Sequence, residues 1–441
     1  MLAIGATDSG TGWIDMKRWI LLAVMGVCII IPVLFWAQTL SPGLPFAEYL
    51  YDTGRVLALV GFVFAFFQFV LSSKIKWIER DIGLDKMFNI HRTAGLIALT
   101  FLVIHPAFLL LSDVTYGDVP SIDLPKAIGL TALSIFTGSV SAAVLYSRLN
   151  LRYETWKIIH WANYVALPLG FVHSLRLGSD LVSLPLRWFW FVMAGSYVAI
   201  LASKLWNRIR VRRHPYQVVR VVQETHDTWS LHFEGRRIDY QPGQFLMVWL
   251  IRNGRVSEPH PFTMSSSPTG DRISISVKSV GDFTGTIGDT TLTDRAYIDA
   301  PFGVFSFLNH DARNLVFIAG GIGITPFMSM LRYVVDKGLD RNVLLIWGNK
   351  AERDIAFRDE LDNMVTEMPT LRVVHVMSSQ DDWLGEKGYV DAALLNRYIQ
   401  DIENSQIFVC GPPVMMTKVI GALQELDALK QRIHYERFAL R

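Results

Sequence analysis

Charge and cysteine are what this 441-residue chain has least of. Only 19% of its residues are Asp, Glu, Lys or Arg, below the roughly 25% of an ordinary soluble protein. Its 42 basic and 40 acidic residues leave a net charge of +2, which gives no footprint for nucleic acid. Two cysteines, Cys28 and Cys410, cannot build a disulfide framework. There is no internal repeat and no low-complexity tract, and an apolar share of 51% excludes disorder. The length allows two to four domains of roughly 100–200 residues each. With a mean hydropathy of +0.29, the composition is that of a membrane protein.

The apolar residues are concentrated in the first half. Trp19–Ala47, Val56–Ser73, Ala127–Ser147, Ile158–Leu175 and Trp188–Ser203 carry no charge, Leu181–Leu186 extends the last run, and Met87–Leu111 carries only Arg92. A spanning helix needs about 20 mostly apolar residues, so the pattern predicts six transmembrane helices. The first follows Lys17 and Arg18 as a signal peptide would, but it is too long for one and lacks a small-residue cleavage site. Basic residues cluster on one side of the predicted bundle: Lys74, Lys76, Arg80, Lys86, Arg148, Arg152, Lys157, and Lys204 through Arg213. The opposite loops hold Lys126, Arg176 and Arg187, with Arg55 at a helix start. The positive-inside rule then places both termini in the cytoplasm of a multi-pass protein of a plasma or bacterial inner membrane.

After about Arg213 the texture changes to short β-type runs punctuated by Gly, Pro, Asn and Asp, as at Tyr216–Val222, Phe245–Leu250 and Ile273–Val277. From about Leu315 the pattern becomes strand, glycine turn, helix, with further strands at Val343–Trp347, Leu371–Met377 and Gln406–Cys410. That alternation predicts a parallel α/β domain.

Four histidines lie in the predicted bundle, His91 and His105 in helix three and His160 and His173 in helix five. Fourteen residues at about 100° each return near the starting face, roughly 21 Å along the axis. His91 and His105 therefore share a face at two depths. The thirteen residues from His160 to His173 leave them about 140° apart on an ideal helix, and Pro168 between them is the expected site of a repairing kink. Two pairs at two depths suit two haems, each iron held by imidazoles from both helices. Arg92 and Arg176 are candidate propionate partners, or ordinary flanking charges. Hydrogen bonding between helices is the bland alternative for the histidines. A different class of protein, a haem-free membrane anchor or proton channel carrying a flavin reductase that serves a protein partner, also stands beside this reading.

In the second half, Tyr240-Gln241-Pro242-Gly243-Gln244-Phe245 precedes a strand, and His260-Pro261-Phe262-Thr263-Met264-Ser265-Ser266 follows a short hairpin. Lys278, Gly281 and Thr284 lie in a Val-Lys-Ser-Val-Gly-Asp-Phe-Thr run, and Asp299–Gly303 follows. Turn amides and hydroxyls of this kind suit a pyrophosphate. A second glycine motif, Ala319-Gly320-Gly321-Ile322-Gly323-Ile324-Thr325-Pro326-Phe327, sits at a strand-to-helix turn where a dinucleotide can approach the backbone. Cys410-Gly411-Pro412-Pro413 follows a later strand, and Phe438 lies near the end of the sequence.

In this order the motifs resemble the ferredoxin–NADP reductase superfamily. With the paired histidines they resemble the NADPH oxidase and ferric reductase family, in a compact form similar to its bacterial and minimal members. The resemblance implies a multidomain membrane protein. A six-helix transmembrane haem domain would occupy residues 1–205, an antiparallel β-barrel FAD domain 206–308, and an α/β parallel-sheet nucleotide domain 309–441. It implies FAD contacts from His260, Pro261, Phe262, Thr263 and Ser265, and phosphate contacts from Lys278, Gly281 and Thr284. Gly320, Gly321, Gly323, Thr325, Pro326, Gly411 and Pro412 would bind the nicotinamide dinucleotide. Cys410 would lie by the nicotinamide, and Phe438 would shield the flavin or pack in the core. His91, His105, His160 and His173 would hold two b-type haems. Electrons would pass from NAD(P)H through FAD and both haems to oxygen or a ferric chelate outside. Lys350, with Ser378 and Ser379, favours NADPH with NADH possible, although Asp381 and Asp382 follow. No EF-hand loop and no N-terminal regulatory domain is seen in the sequence, so calcium control as in some animal members is not expected.

Overall fold

The computed structural model describes residues 11–73, 75, 83–146, 148–149, 151 and 153–436. Phe438 and the loop cations Lys74, Lys76, Arg80 and Arg152 lie outside the described residues. The described residues divide into two compact units, one within residues 16–78 and 86–206 and the other within residues 207–436, 11–15 and 83–85.

The first unit is helical. Among the described residues its helices are α1 (Thr11–Ala37), α2 (Phe46–Ser72), α3 (Leu84–Tyr116), α4 (Leu124–Val144), α5 (Tyr153–Trp161), α6 (Asn163–Leu177) and α7 (Leu184–Arg213). Five of them, α1 to α4 and α7, are long and apolar enough to cross a membrane. The single fifth helix expected over Ile158–Leu175 is instead two consecutive pieces of 9 and 15 residues that meet at Ala162. Ala162 keeps right-handed helical angles (φ −58°, ψ −20°), so the chain is interrupted there without reversing.

Pro168 is not the site of that interruption. It sits inside α6, and its missing N–H leaves the Tyr164 carbonyl without the usual donor one turn on. The Tyr197 hydroxyl of α7 donates to that carbonyl at 2.8 Å instead. The proline's defect is satisfied by a neighbouring helix rather than by a break.

Helix α2 is the interior helix, with 61% of its most apolar stretch buried against 11% for α3 and α4. Phe62 packs edge-on to Phe171 (4.7 Å) and stacks on Trp190 (5.8 Å). Arg55, expected only as a charge at a helix start, is enclosed: it donates to Asp52 at 2.7 Å, to Thr39 at 3.0 Å and to both oxygens of buried Asp180. A buried guanidinium is tolerable only when its donors are answered in this way.

The second unit holds two sheets. The first comprises β1 (Tyr216–Thr225), β2 (Thr228–Glu234), β3 (Phe245–Arg252), β4 (Arg255–Val256), β5 (His260–Thr263), β6 (Ile273–Lys278) and β7 (Arg295–Phe302). It is antiparallel in the order β4-β3-β7-β1-β2-β6, with β5 also on β3. A bridge from Met264 to Ile275 joins the end of β5 to β6, so the pairing returns on itself.

The second sheet is parallel, in the order β11-β10-β9-β8-β12-β13. Its strands are β8 (Asn314–Gly320), β9 (Asn342–Asn349), β10 (Leu371–Met377), β11 (Glu386–Lys387), β12 (Gln406–Cys410) and β13 (Ile433–Tyr435). Helices α8 (Thr325–Lys337), α9 (Arg358–Glu367), α10 (Ala392–Tyr398) and α11 (Pro413–Glu425) complete it. Strand β8 alternates its side chains between two cores, Leu315, Phe317 and Ala319 against α8 and α9, Val316 and Ile318 against α11. Both faces are therefore covered, which is why the strand reads as a continuous apolar run. The chain winds outward from β8 through β9 to β10, then crosses back to β12 on the other side of β8. The crevice at the carboxyl ends of β8 and β12 is thus a topological switch point, where open α/β sheets hold ligands.

Candidate functional site

Two motifs far apart in sequence meet at this crevice. A Cβ added to Gly323 would lie 2.3 Å from the Cys410 carbonyl oxygen and 2.9 Å from the Gly411 Cα. One added to Gly411 would lie 3.1 Å from the backbone of Gly320, and one on Gly320 would lie 2.9 Å from Pro412. Only glycine lets the turn after β8 lie against the turn after β12. Gly321 adopts φ +51° with open space around it, and its carbonyl accepts from the Trp347 indole at 2.9 Å.

Thr325 opens α8 and returns its hydroxyl to the Ile322 carbonyl at 3.1 Å. Pro326 follows in the first turn, where a missing N–H costs nothing. Pro412 caps α11 in the same crevice. Two helix N-termini thus start beside the glycine turns, a setting that favours phosphate. Cys410 is fully buried, and burial pushes its thiol well above the ordinary range, with the nearby Glu436 charge adding to the effect. Full burial of this kind favours the neutral thiol.

Lys350 at the end of β9 and Ser379 after β10 are joined through the main chain, the Ser379 amide donating to the Lys350 carbonyl at 2.8 Å. The side chain of Lys350 is exposed, and the Ser378 and Ser379 hydroxyls lie 3.5 Å apart. The segments carrying the cation and the hydroxyls singled out from sequence lie side by side through this main-chain bond.

In the antiparallel lobe, His260 stacks on Phe283 (3.7 Å, 11°), and Phe262 lies nearly parallel 6.3 Å from Phe283. These rings form an aromatic wall suited to a planar ligand. Burial lowers the His260 pKa, with Glu258 opposing, which favours the neutral ring. Thr263 is buried in β5, opposite Phe245. The Thr284 hydroxyl accepts from the amides of Val280 (3.0 Å) and Gly281 (2.9 Å) and pins the turn expected to cradle phosphate.

Two expected ligand contacts are otherwise engaged. Ser265 is 1% exposed and its hydroxyl is shared with Ser274 and Ser276 at 3.0 Å each, inside the lobe. The Lys278 ammonium lies 3.1 Å from Asp227 and 3.7 Å from Asp354, so carboxylates hold it where a phosphate was expected. His226 lies near the same two acids at 3.6 and 3.9 Å.

In the helical unit, His91 of α3 and His160 of α5 face each other with ring centroids 6.1 Å apart. His160 accepts or donates through Nδ1 to the Ser139 hydroxyl at 3.2 Å and stacks on Trp156. His91 Nδ1 is buried. His105 Nδ1 lies 2.9 Å from the Gly54 carbonyl, and His173 Nδ1 lies 2.9 Å from the Pro125 carbonyl. A carbonyl on Nδ1 fixes that nitrogen as the N–H and presents Nε2 as the lone-pair ligand, the arrangement of metal-binding histidines. Arg92 and Arg176 are exposed.

Three family models match successive stretches of the chain. The family described as ferric reductase like transmembrane component matches residues 57–171, an FAD-binding domain matches 220–323, and an oxidoreductase NAD-binding domain matches 317–420. The chain belongs to the ferric reductase/NADPH oxidase-type architecture.

The glycine betaine monooxygenase reductase subunit of Chromohalobacter salexigens is 28% identical over 240 residues, covering 51% of this chain and 64% of that protein. The ferredoxin reductase component of 3-ketosteroid-9-alpha-monooxygenase from Mycolicibacterium smegmatis is 32% identical over 239 residues, covering 50% and 64%. The chain thus spans less than two thirds of the length of either relative. Among solved structures, the FAD/NAD-binding domain of nitric oxide dioxygenase from Vibrio cholerae is 22% identical, covering 51% of this chain and 97% of that one at a TM-score of 0.46. The transmembrane-component model matches the helical half, while the FAD- and NAD-binding models and the curated relatives indicate an NAD(P)H-dependent flavin oxidoreductase.

For a ferric reductase-type chain, one residue of the crevice escaped the sequence reading. Glu436 brings its carboxylate to Gly303, where an added Cβ would lie 2.9 Å from Oε1, and acts electrostatically on Cys410. It stands two positions before Phe438, and an acid so near the end of a sequence reads as a solvated terminus. Only its return beside β12 through β13 reveals it.

Proposed function

We propose that this chain is a transmembrane oxidoreductase taking electrons from cytoplasmic NAD(P)H and delivering them across the membrane to an outer acceptor. The observation that carries the reading is the His91–His160 pair, with ring centroids 6.1 Å apart. Two imidazoles on one metal, each nitrogen ~2 Å from it, put their centroids about 6 Å apart. Bis-imidazole ligation suits a haem that relays electrons. His105 and His173, each with Nδ1 tied to a main-chain carbonyl, make the second pair. The positive-inside pattern then puts His91 and His160 near the cytoplasmic face and the second pair near the outer one.

When bound, FAD would convert a two-electron donor into single-electron delivery, and two b-type haems would relay those electrons. The rest is the work of this chain's residues. Gly320, Gly321, Gly323, Gly411 and Pro412 open the crevice to a dinucleotide. Lys350 and the two serines face its 2′-phosphate, which favours NADPH over NADH. Cys410 and Glu436 line the nicotinamide side. His260, Phe262 and Thr263 hold the flavin. The domains run 1–205, 206–308 and 309–441.

If His105 and His173 together held the outer iron, no protein-free position would remain on it, and the outer acceptor would be reduced without binding iron. Oxygen, giving superoxide, and a ferric chelate both meet that condition. The test is NADPH-driven turnover of the purified chain with oxygen or ferric citrate, in the wild type and in His105→Ala. Delivery to either acceptor should end in the variant while flavin reduction continues. Unchanged delivery would sink the proposed route.

A further inference from the structure

Helix α8 begins at the glycine turn of the nucleotide lobe, and one of its faces is bonded to the flavin motif. Ser329, Arg332 and Asp336 follow the i, i+3, i+7 spacing that aligns side chains on one face. The Ser329 hydroxyl donates to the Ser266 carbonyl at 2.6 Å, and Arg332 Nη1 donates to the Ser265 carbonyl. Asp336 accepts from the Thr269 hydroxyl.

The remaining guanidinium donors form a fork on Glu360, Nε to Oε1 at 2.7 Å and Nη2 to Oε2 at 2.6 Å. The group lies over the Phe357 ring at 5.1 Å. Phe357 takes φ +57° at the start of α9, an uncommon conformation for a bulky side chain, and that start brings Glu360 into reach. The bonded carbonyls are equally fixed on the flavin side. Ser265 is locked to Ser274 and Ser276, and Ser266 receives the Tyr240 hydroxyl at 3.0 Å.

We propose that Arg332 is a positioning residue for hydride transfer. Braced by Glu360 and aimed at the Ser265 carbonyl, it sets the distance between the nucleotide turn and the flavin motif. The inference rests on the reading of these lobes as FAD and NAD(P)H sites. In that transfer the C–H bond of the dihydronicotinamide would break, its electron pair and hydrogen would pass to the flavin, and oxidised nicotinamide would leave. A misplacement of about 1 Å in such a step costs on the order of 100-fold. A planar fork with a third donor on a carbonyl is geometry that Arg provides and Lys does not.

The test uses the full chain in detergent, with Arg332→Met, Arg332→Lys and Glu360→Gln. Stopped-flow flavin reduction by NADH and by NADPH is read per bound flavin, together with nucleotide KM, flavin content and melting temperature. Arg332→Met should slow reduction about 10- to 100-fold and weaken the flavin–nicotinamide charge-transfer band, with KM within about twofold and flavin content retained. Arg332→Lys should rescue little, and Glu360→Gln should fall between. An unchanged rate per bound flavin in Arg332→Met, with flavin content or melting temperature lowered, would make the residue merely structural and overturn the proposal. Failure of the wild type itself to be reduced by either nucleotide would remove the parent reading instead.

Discussion

Replacing Gly323 by Ala places a methyl group where the structure has no room for one. The new Cβ would sit 2.3 Å from the Cys410 carbonyl oxygen, 2.7 Å from its carbonyl carbon and 2.9 Å from Gly411 Cα. Comfortable separations between carbon atoms are about 3.5–4.0 Å, so the shortfall is roughly 1 Å against atoms that cannot rotate away. Overpacking of this kind costs about 1–3 kcal/mol. If the turns separate to relieve it, the whole cost falls on the conformation that holds the dinucleotide. At about 1.4 kcal/mol per tenfold, that is a loss of about 5- to 140-fold in affinity.

Neighbouring glycines give a ranking from the same geometry. Gly320→Ala meets the flexible Met415 sulfur at 2.2 Å and Pro412 at 2.9 Å, so part of its strain can relax. Gly321→Ala meets nothing and carries only the left-handed penalty of about 1–2 kcal/mol. NADH titration of flavin bleaching, with dithionite reduction as control, should rank Gly323→Ala as the most impaired. Wild-type affinity in Gly323→Ala, or a worse defect in Gly321→Ala, would refute the packing argument.

Gly129→Ala would put a Cβ 2.4 Å from His173 Nδ1 and force the ring off the Pro125 carbonyl. Pyridine haemochrome assay should then find one haem fewer per chain, and an undiminished count would contradict the ligand assignment. Burial, then the fields of Arg220, Arg332 and Arg272, hold the His232 pKa down at about 4. The folded state therefore binds fewer protons than the unfolded one between about 4 and 6.5, and stability falls as pH drops through that window. His232→Gln should flatten the difference in flavin-release temperature between pH 7 and pH 5; equal slopes in both proteins would dismiss this source. Lys350→Ala should raise the KM for NADPH several-fold and spare NADH, while equal kinetics with both nucleotides in the unmutated protein would reverse the cofactor preference.

Glycine turns and charge-free runs were legible in the sequence because each states a local requirement. Gly320, Gly323 and Gly411 mark close backbone approach, and the runs mark apolar surroundings. What escaped was set by tertiary partners. Pro168 marks a defect in the helical ladder, yet the Tyr197 hydroxyl answers it and the interruption falls at Ala162. Lys278 reads as a phosphate ligand, and the sequence does not show that Asp227 and Asp354, remote along the chain, pair with it. Ser265 sits in a ligand-like motif but points into a cluster of hydroxyls. Arg332 and Glu360 lie on different helices, and only the fold shows the fork between them.

The central claim is that four histidines in two pairs hold two haems between a nucleotide-reducible flavin and the outer face. The most direct measurement is the absorption spectrum of the purified full chain, with haem and FAD quantified per polypeptide and then followed after NADPH addition without oxygen. The account predicts about two bis-imidazole haems and one FAD per chain, all reduced by NADPH. Flavin reduction with no Soret band would contradict it and leave a haem-free reductase anchored in the membrane.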